Sequence, residues 1–188
     1  MKRWFLIAAL FAVSACKEEI AQDISALPLT AEAVGHFCQM GLLEHDGPKA
    51  QAHLAGLPQM PLFFSQVRDV IAYMRLPEQS HEILAVWVSD MGAPEATWTS
   101  PGAKNWINAQ DAYFVVGSQV AGGMGAPEIV PFSKPEDAAA FVASNGGQTM
   151  RLADIPDDAV LAPVVLDGQD DDAEFNERLR ALSRQSEG

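Results

Sequence analysis

The chain has 188 residues, 48% of them hydrophobic, and carries 25 acidic against 12 basic side chains, a formal net charge of −13. So acidic a body repels phosphate backbones and excludes nucleic acid as a partner, while remaining soluble and attractive to cations and basic surfaces. The apolar content and length suffice for one compact domain or two small ones.

The first residues read as an export signal. Lys2 and Arg3 precede an apolar run from Trp4 to Val13 that is too short to span a bilayer as a helix. The run enters Val13-Ser14-Ala15-Cys16, which resembles a lipobox, so residues 1–15 are expected to be removed and Cys16 to carry lipid. Loss of Lys2 and Arg3 leaves 10 basic against 25 acidic side chains, a charge of −15. Lys17 follows the lipidated cysteine where an aspartate would retain the protein in the inner membrane, which favours the outer membrane. Residues 16–33 are polar and broken, as suits a tether.

Elements then follow in chain order. Gly35–Leu43 and His53–Leu57 read as strand-like. Ser65–Met74 places Val67, Val70, Ile71 and Met74 on one helical face. Ile83–Ser89 and Ala112–Gly117 are rich in β-branched and aromatic residues and read as strands. Ser133-Lys-Pro-Glu136 has the form of a capping box with proline in the first turn, starting a helix to Ala143 that Gly146-Gly147 ends. Gln148–Leu152 reads as a strand.

The two helices look like copies. Phe64-Ser65 with Asp69 aligns with Phe132-Ser133 with Asp137, and Val70–Met74 aligns with Ala138–Val142. A duplicated unit fits this order, predicting an α+β body of two similar small ββαβ-like lobes, residues 34–95 and 96–163. Residues 164–188 form an acidic tail, with Phe175, Leu179 and Leu182 on one possible helical stripe.

Cysteine usage carries the chemistry. The chain has two cysteines, and lipid on Cys16 leaves Cys38 without a partner in an oxidising compartment. A lone exported thiol is explained by intermolecular pairing, burial or a soft metal. His36, Cys38 and Met40 alternate, and in an extended segment alternate side chains share a face. Thiolate with thioether selects Cu(I), since thioether is a poor ligand for zinc and hard cations. Met124 stands in the glycine-dense loop Ala121–Pro127, where core packing explains it poorly. Met91, at a strand end, is a lesser candidate. Met60, Met74 and Met150 read as packing, His45 as solvated in a turn, and His53 and His81 as lacking clustered partners.

Several motifs together resemble the NosL family of nitrous-oxide reductase accessory lipoproteins. They are His36-Phe-Cys-Gln-Met40, Glu44-His-Asp-Gly-Pro-Lys-Ala-Gln51, Phe64–Asp69, Val88–Gly92, Trp106–Ala109, Tyr113–Ser118 and Gly122–Glu128 with Val130–Ser133. The resemblance runs from Gly35 to about Leu161. It implies a lipid-anchored periplasmic Cu(I) chaperone, two similar strand–helix lobes, and work with an ABC-type membrane maturation complex supplying the copper–sulfide centre of nitrous oxide reductase. The family usually places glycine between its cysteine and methionine, where this chain has Gln39.

The expected protein is therefore a carrier and not an enzyme. Cys38 and Met40 hold Cu(I), His36 or Met124 completes a low-coordinate shell, and an open position admits the acceptor's ligand. Two alternatives remain at this point: a periplasmic redox enzyme using Cys38 as its reactive thiol, and a scaffold lipoprotein whose Cys38 is inert.

Overall fold

The computed structural model describes residues 21–163. The expected export signal, the expected lipidation site Cys16 and the acidic stretch over residues 164–188 lie outside the described residues.

The described chain builds two antiparallel sheets, each with a helix. The first comprises β1 (Ala50–Leu54), β2 (Leu62–Phe64), β3 (Ile83–Ser89) and β4 (Trp106–Asn108), in the order β2-β1-β3-β4. Between β2 and β3 runs α1 (Val67–Arg75). The second sheet comprises β5 (Tyr113–Val116), β6 (Val130–Phe132) and β7 (Gln148–Met150), in the order β6-β5-β7, with α2 (Pro135–Asn145) between β6 and β7. A short α3 (Asp158–Leu161) follows and packs on α1.

This topology realises the expected duplication. In both units a central strand is flanked by the two that follow it, and the helix lies between those two. Phe64 ends β2 and Phe132 ends β6, and in each case two residues separate the strand from its helix. By sheet membership the units divide between Asn108 and Tyr113, because β4 pairs with β3.

The two sheets share one core. Ala50, Ala52, Leu54, Val86 and Val88 of the first meet Val67, Val70 and Ile71 of α1, and the same cluster includes Phe114, Val116, Ile129, Leu152 and Val160. Alternation along β5 explains this: Phe114 and Val116 face the shared core, while Val115 faces Val130, Phe132 and Ala138 beneath α2. Asp90, at the end of β3, joins the sheets by accepting from Gly92 N at 2.9 Å and from Ser133 N at 3.0 Å.

Residues 22–33, assigned by sequence to the tether, pack on the body instead. Gln51 accepts from Leu27 N and donates to Leu27 O, both at 2.9 Å, as a neighbouring strand would. Trp87 Nε1 donates to Ile24 O at 2.8 Å, and Leu29 and Ala33 are buried against Leu42. β1 is thus buried along its whole length.

Other expectations require correction. Gly35–Leu43 is not a strand: it is a tight turn leading into a 3₁₀ turn at Leu42–Glu44. The strand placed at His53–Leu57 begins at Ala50 and ends at Leu54, since Gly56 turns the chain with φ 80°. The capping box at Ser133 does not form; α2 starts at Pro135 after Lys134, and the Ser133 amide is held by Asp90. Gly146 and Gly147, at φ 73° and 89°, end α2 as expected. No helix among the described residues is long and apolar enough to cross a membrane.

A shared core predicts shared unfolding. Phe114→Ala, which empties a fully buried site, should cost about 3–5 kcal/mol. Urea unfolding followed by tryptophan fluorescence and by far-UV dichroism should give coincident transitions; two separated transitions would contradict one core.

Candidate metal centre

The turn bearing Cys38 is closed by its own backbone. Val34 and Gly41 form a bridge, Gly35 N donates to Met40 O and Gln39 N to Gly35 O, each at 2.9 Å. Reversal requires a left-handed residue, and Gln39 takes that role at φ 56°. Glycine enters this region freely, whereas other residues pay about 1–2 kcal/mol there. Gln39 offsets the strain by donating from Nε2 to His36 O at 2.7 Å and Gly35 O at 3.3 Å. His36, Cys38 and Met40 therefore lie on a turn rather than along an extended face.

Within the turn, Cys38 is half-buried and free, and its Sγ lies 3.7 Å from Ser65 Oγ. It packs so closely on Gly35 that a Cβ there would stand 2.5 Å from the sulfur. Met40 is 45% exposed. His36 is pinned by its amide donating to Phe63 O at 2.6 Å, and its ring lies 5.3, 5.7 and 5.3 Å from those of Phe37, Phe64 and Tyr73.

Met124, 44% exposed, projects from a loop closed by the bridge between Ala121 and Pro127. Two glycines seat this loop. A Cβ on Gly122 would collide with Gln66 Nε2 and stand 2.7 Å from Glu128 Oε2. One on Gly123 would stand 2.7 Å from His45 Cβ and 2.8 Å from Asp46 O. Two segments singled out by the sequence thus meet one tripeptide at the β2–α1 junction: the Cys38 turn, through His36 against Phe64 and Cys38 against Ser65, and the Met124 loop, through Gly122 against Gln66.

Beneath the junction lies Lys49, only 1% exposed. Its Nζ donates to His45 O at 2.6 Å, Gly47 O at 2.7 Å, Asp46 O at 3.1 Å and Ser65 O at 3.4 Å. Burial pushes its pKa down to about 8, against the pull of Glu128 and Asp46. Carbonyls only accept, so their arrangement around Nζ calls for an ammonium that donates three hydrogens. Glu128 is fully buried, and burial raises its pKa to about 8. Its Oε1 accepts from Ile129 N at 2.9 Å and Arg68 N at 3.3 Å, while Oε2 and the nearby Gln66 Nε2 have no partner among the described residues.

Lys49, Gln66 and Glu128 escaped sequence reasoning, which treats charged and amide side chains as solvated. Lys49 immediately before a strand of alternating alanines was the available signal. His45, read as solvated, is buried at 8% exposure, and its Nε2 lacks a partner among the described residues. Met60, read as packing, is 65% exposed. Met91 packs beside Val115 and Phe132, in the cluster beneath α2.

Comparison with known proteins covers the whole of this arrangement. The NosL family model matches residues 26–160, which include the Cys38 turn, the Lys49 strand and the Met124 loop. The chain belongs to the NosL family. It is 56% identical over 189 residues to the copper-binding lipoprotein NosL of Achromobacter cycloclastes, covering 99% of this chain and 97% of that protein. The corresponding Stutzerimonas stutzeri protein, also named copper-binding lipoprotein NosL, is 30% identical over 161 residues, 83% of this chain and 80% of that one. The crystal structure of the copper chaperone NosL from Shewanella denitrificans superimposes with a TM-score of 0.64 at 33% identity, over 70% of this chain and 95% of that one.

Two predictions follow from this NosL-family turn and its support. Gln39→Gly trades left-handed strain for lost side-chain hydrogen bonds and should leave stability within about 1 kcal/mol. Gln39→Val keeps the strain and loses the bonds, so it should cost roughly 2 kcal/mol or more in denaturant titration. Glu128 has a folded pKa above its ordinary 4.5, so its contribution is complete below that value and declines as pH rises through about 8. Lys49, depressed from 10.5, acts in the opposite direction and only above about pH 8. Unfolding free energy should therefore fall between pH 5 and 8 in the native chain, and Glu128→Gln should flatten that slope.

Proposed function

We propose that this chain is a lipid-anchored carrier that binds Cu(I) through the Cys38 thiolate and the Met40 thioether, with Met124 or His36 completing a low-coordinate shell. The copper is cargo and not a resident cofactor. The observation that carries the reading is a half-buried free thiol held in a rigid turn, two residues from an exposed thioether, in a chain 56% identical to a protein named a copper-binding lipoprotein. Sulfur donors of both kinds favour Cu(I) over Cu(II) and hard ions. Binding replaces the Cys38 proton, which passes to solvent.

The junction supports Met124 as the third donor, since its loop abuts Gln66 while Cys38 abuts Ser65. His36 is the alternative from within the turn, its ring already engaged by Phe37, Phe64 and Tyr73. Release then needs an incoming ligand at the open position and a shared-ligand intermediate. Family membership supports delivery toward the copper–sulfide centre of nitrous oxide reductase through an ABC-type membrane maturation complex. Cys16 provides the anchor, and Lys17 after it favours the outer membrane facing the periplasm.

Anaerobic chelator competition tests the donor set. Cys38→Ala and Met40→Ala should each weaken Cu(I) binding by about tenfold or more, a loss of at least ~1.4 kcal/mol. Cys16→Ser should release the protein from membranes and leave Cu(I) affinity unchanged. Wild-type affinity in Cys38→Ala would contradict the assignment.

A further inference from the structure

Residue 22 and the metal turn stand at opposite ends of β1. Gln22 Nε2 donates to Leu54 O at 2.9 Å, and its Oε1 accepts from Gly56 N at 3.1 Å, which clamps it where β1 passes into the β1–β2 loop. From there the chain runs back across the sheet as a strap. Trp87 holds Ile24, Gln51 holds Leu27, and Leu29 N donates to Ala103 O at 2.8 Å before the Cys38 turn is reached. That turn lies at the other end of the strand, where Ala50 pairs with Phe64 and Cys38 lies against Ser65. The four residue steps from Ala50 to Leu54 set the two ends about 13 Å apart.

The loop at the Gln22 end, Ala55-Gly-Leu-Pro-Gln-Met-Pro61, carries no charge in a chain of net charge −13. Leu57 roots it in the shared core, and Met60 N donates to Leu57 O at 3.3 Å. Met60 itself is 65% exposed, the most of any large apolar side chain among the described residues. Pro58 and Pro61 restrict the backbone on either side of it.

We propose that this loop is a lipid-contact surface, which rests on the bilayer through Met60 and turns the Cys38 turn away from the membrane. The inference rests on the reading of Cys16 as the lipidated residue. Cys16 precedes Gln22 by six residues, a span of at most about 22 Å even when fully extended, so the lipid keeps the Gln22 end of the sheet close to the bilayer. A weak apolar contact suffices there, because the anchor makes it intramolecular. Asp23 and Glu82 are exposed at the same end, beside Gln22 and Ala55, and repel anionic headgroups; the surface that fits is zwitterionic lipid. Val34, Phe37, Met40 and Leu43 are exposed apolar side chains too, but they belong to the metal turn and its flanks. Burying them in lipid would close the open position that copper transfer needs.

The test uses the mature lipidated chain, labelled with ¹³C-methyl methionine, in phosphatidylcholine nanodiscs whose surface carries gadolinium-chelating headgroups. Gadolinium should broaden the Met60 methyl resonance, identified by its absence in Met60→Leu, and leave those of Met40 and Met124 sharp. Broadening of Met40 equal to or greater than that of Met60 overturns the orientation, and a sharp Met60 resonance overturns the loop contact. A mature chain whose mass shows no lipid on Cys16 contradicts the anchor reading instead, so the two failures are distinct.

Discussion

The buried ammonium of Lys49 is the constraint on which the site depends. A lone cation in the interior would cost several kcal/mol, and here it is compensated by carbonyls from two separate segments. Those of His45, Asp46 and Gly47 belong to the loop before β1, and that of Ser65 to the junction between β2 and α1. The ammonium therefore fixes that loop against the residue that Cys38 touches. The Met124 loop rests on the same segment through Gly123, so the charge that holds this segment also underlies the loop that carries Met124.

Glu128 completes the support from the other side. Its carboxyl holds the first amides of α1 and β6's approach, and it lies directly under Gly122. A raised pKa keeps the group largely neutral near pH 7, where a buried carboxylate without a close cation would be expensive. Lys49 contributes only part of that compensation. The junction is thus rigid through polar contacts, while the sulfurs around it remain partly open. This combination suits a carrier, because a fixed backbone can present soft donors at low coordination without collapsing onto them.

Much of the fold was legible. The helical stripe Val67, Val70, Ile71 and the long apolar strand Ile83–Ser89 carry strong periodicity, and the matched Phe-Ser motifs exposed the duplicated topology. Short strands were not legible, because Leu62–Phe64 and Val130–Phe132 are formed by pairing to a central strand and not by local propensity. Residues 22–33 looked like a tether since they lack periodicity; their backbone is held by the side chains of Gln51 and Trp87, which leaves no pattern in the segment's own sequence. The proposed donors Cys38, Met40 and Met124 are suggested by their chemistry alone, and the extended strand expected for the first two is replaced by a turn through a left-handed Gln39. Met60 was read as packing but is exposed, because exposure, unlike residue type, depends on the turn around it.

The central claim is that a sulfur-dominated centre at Cys38 and Met40 binds copper as Cu(I). Copper K-edge X-ray absorption on the anaerobically loaded chain tests it most directly, because oxidation state and ligand type are read together. The account predicts a Cu(I) edge and a low-coordinate first shell dominated by sulfur, which loses sulfur in Cys38→Ser and in Met40→Ala. A first shell of nitrogen and oxygen alone, or a spectrum unchanged by both substitutions, would contradict it.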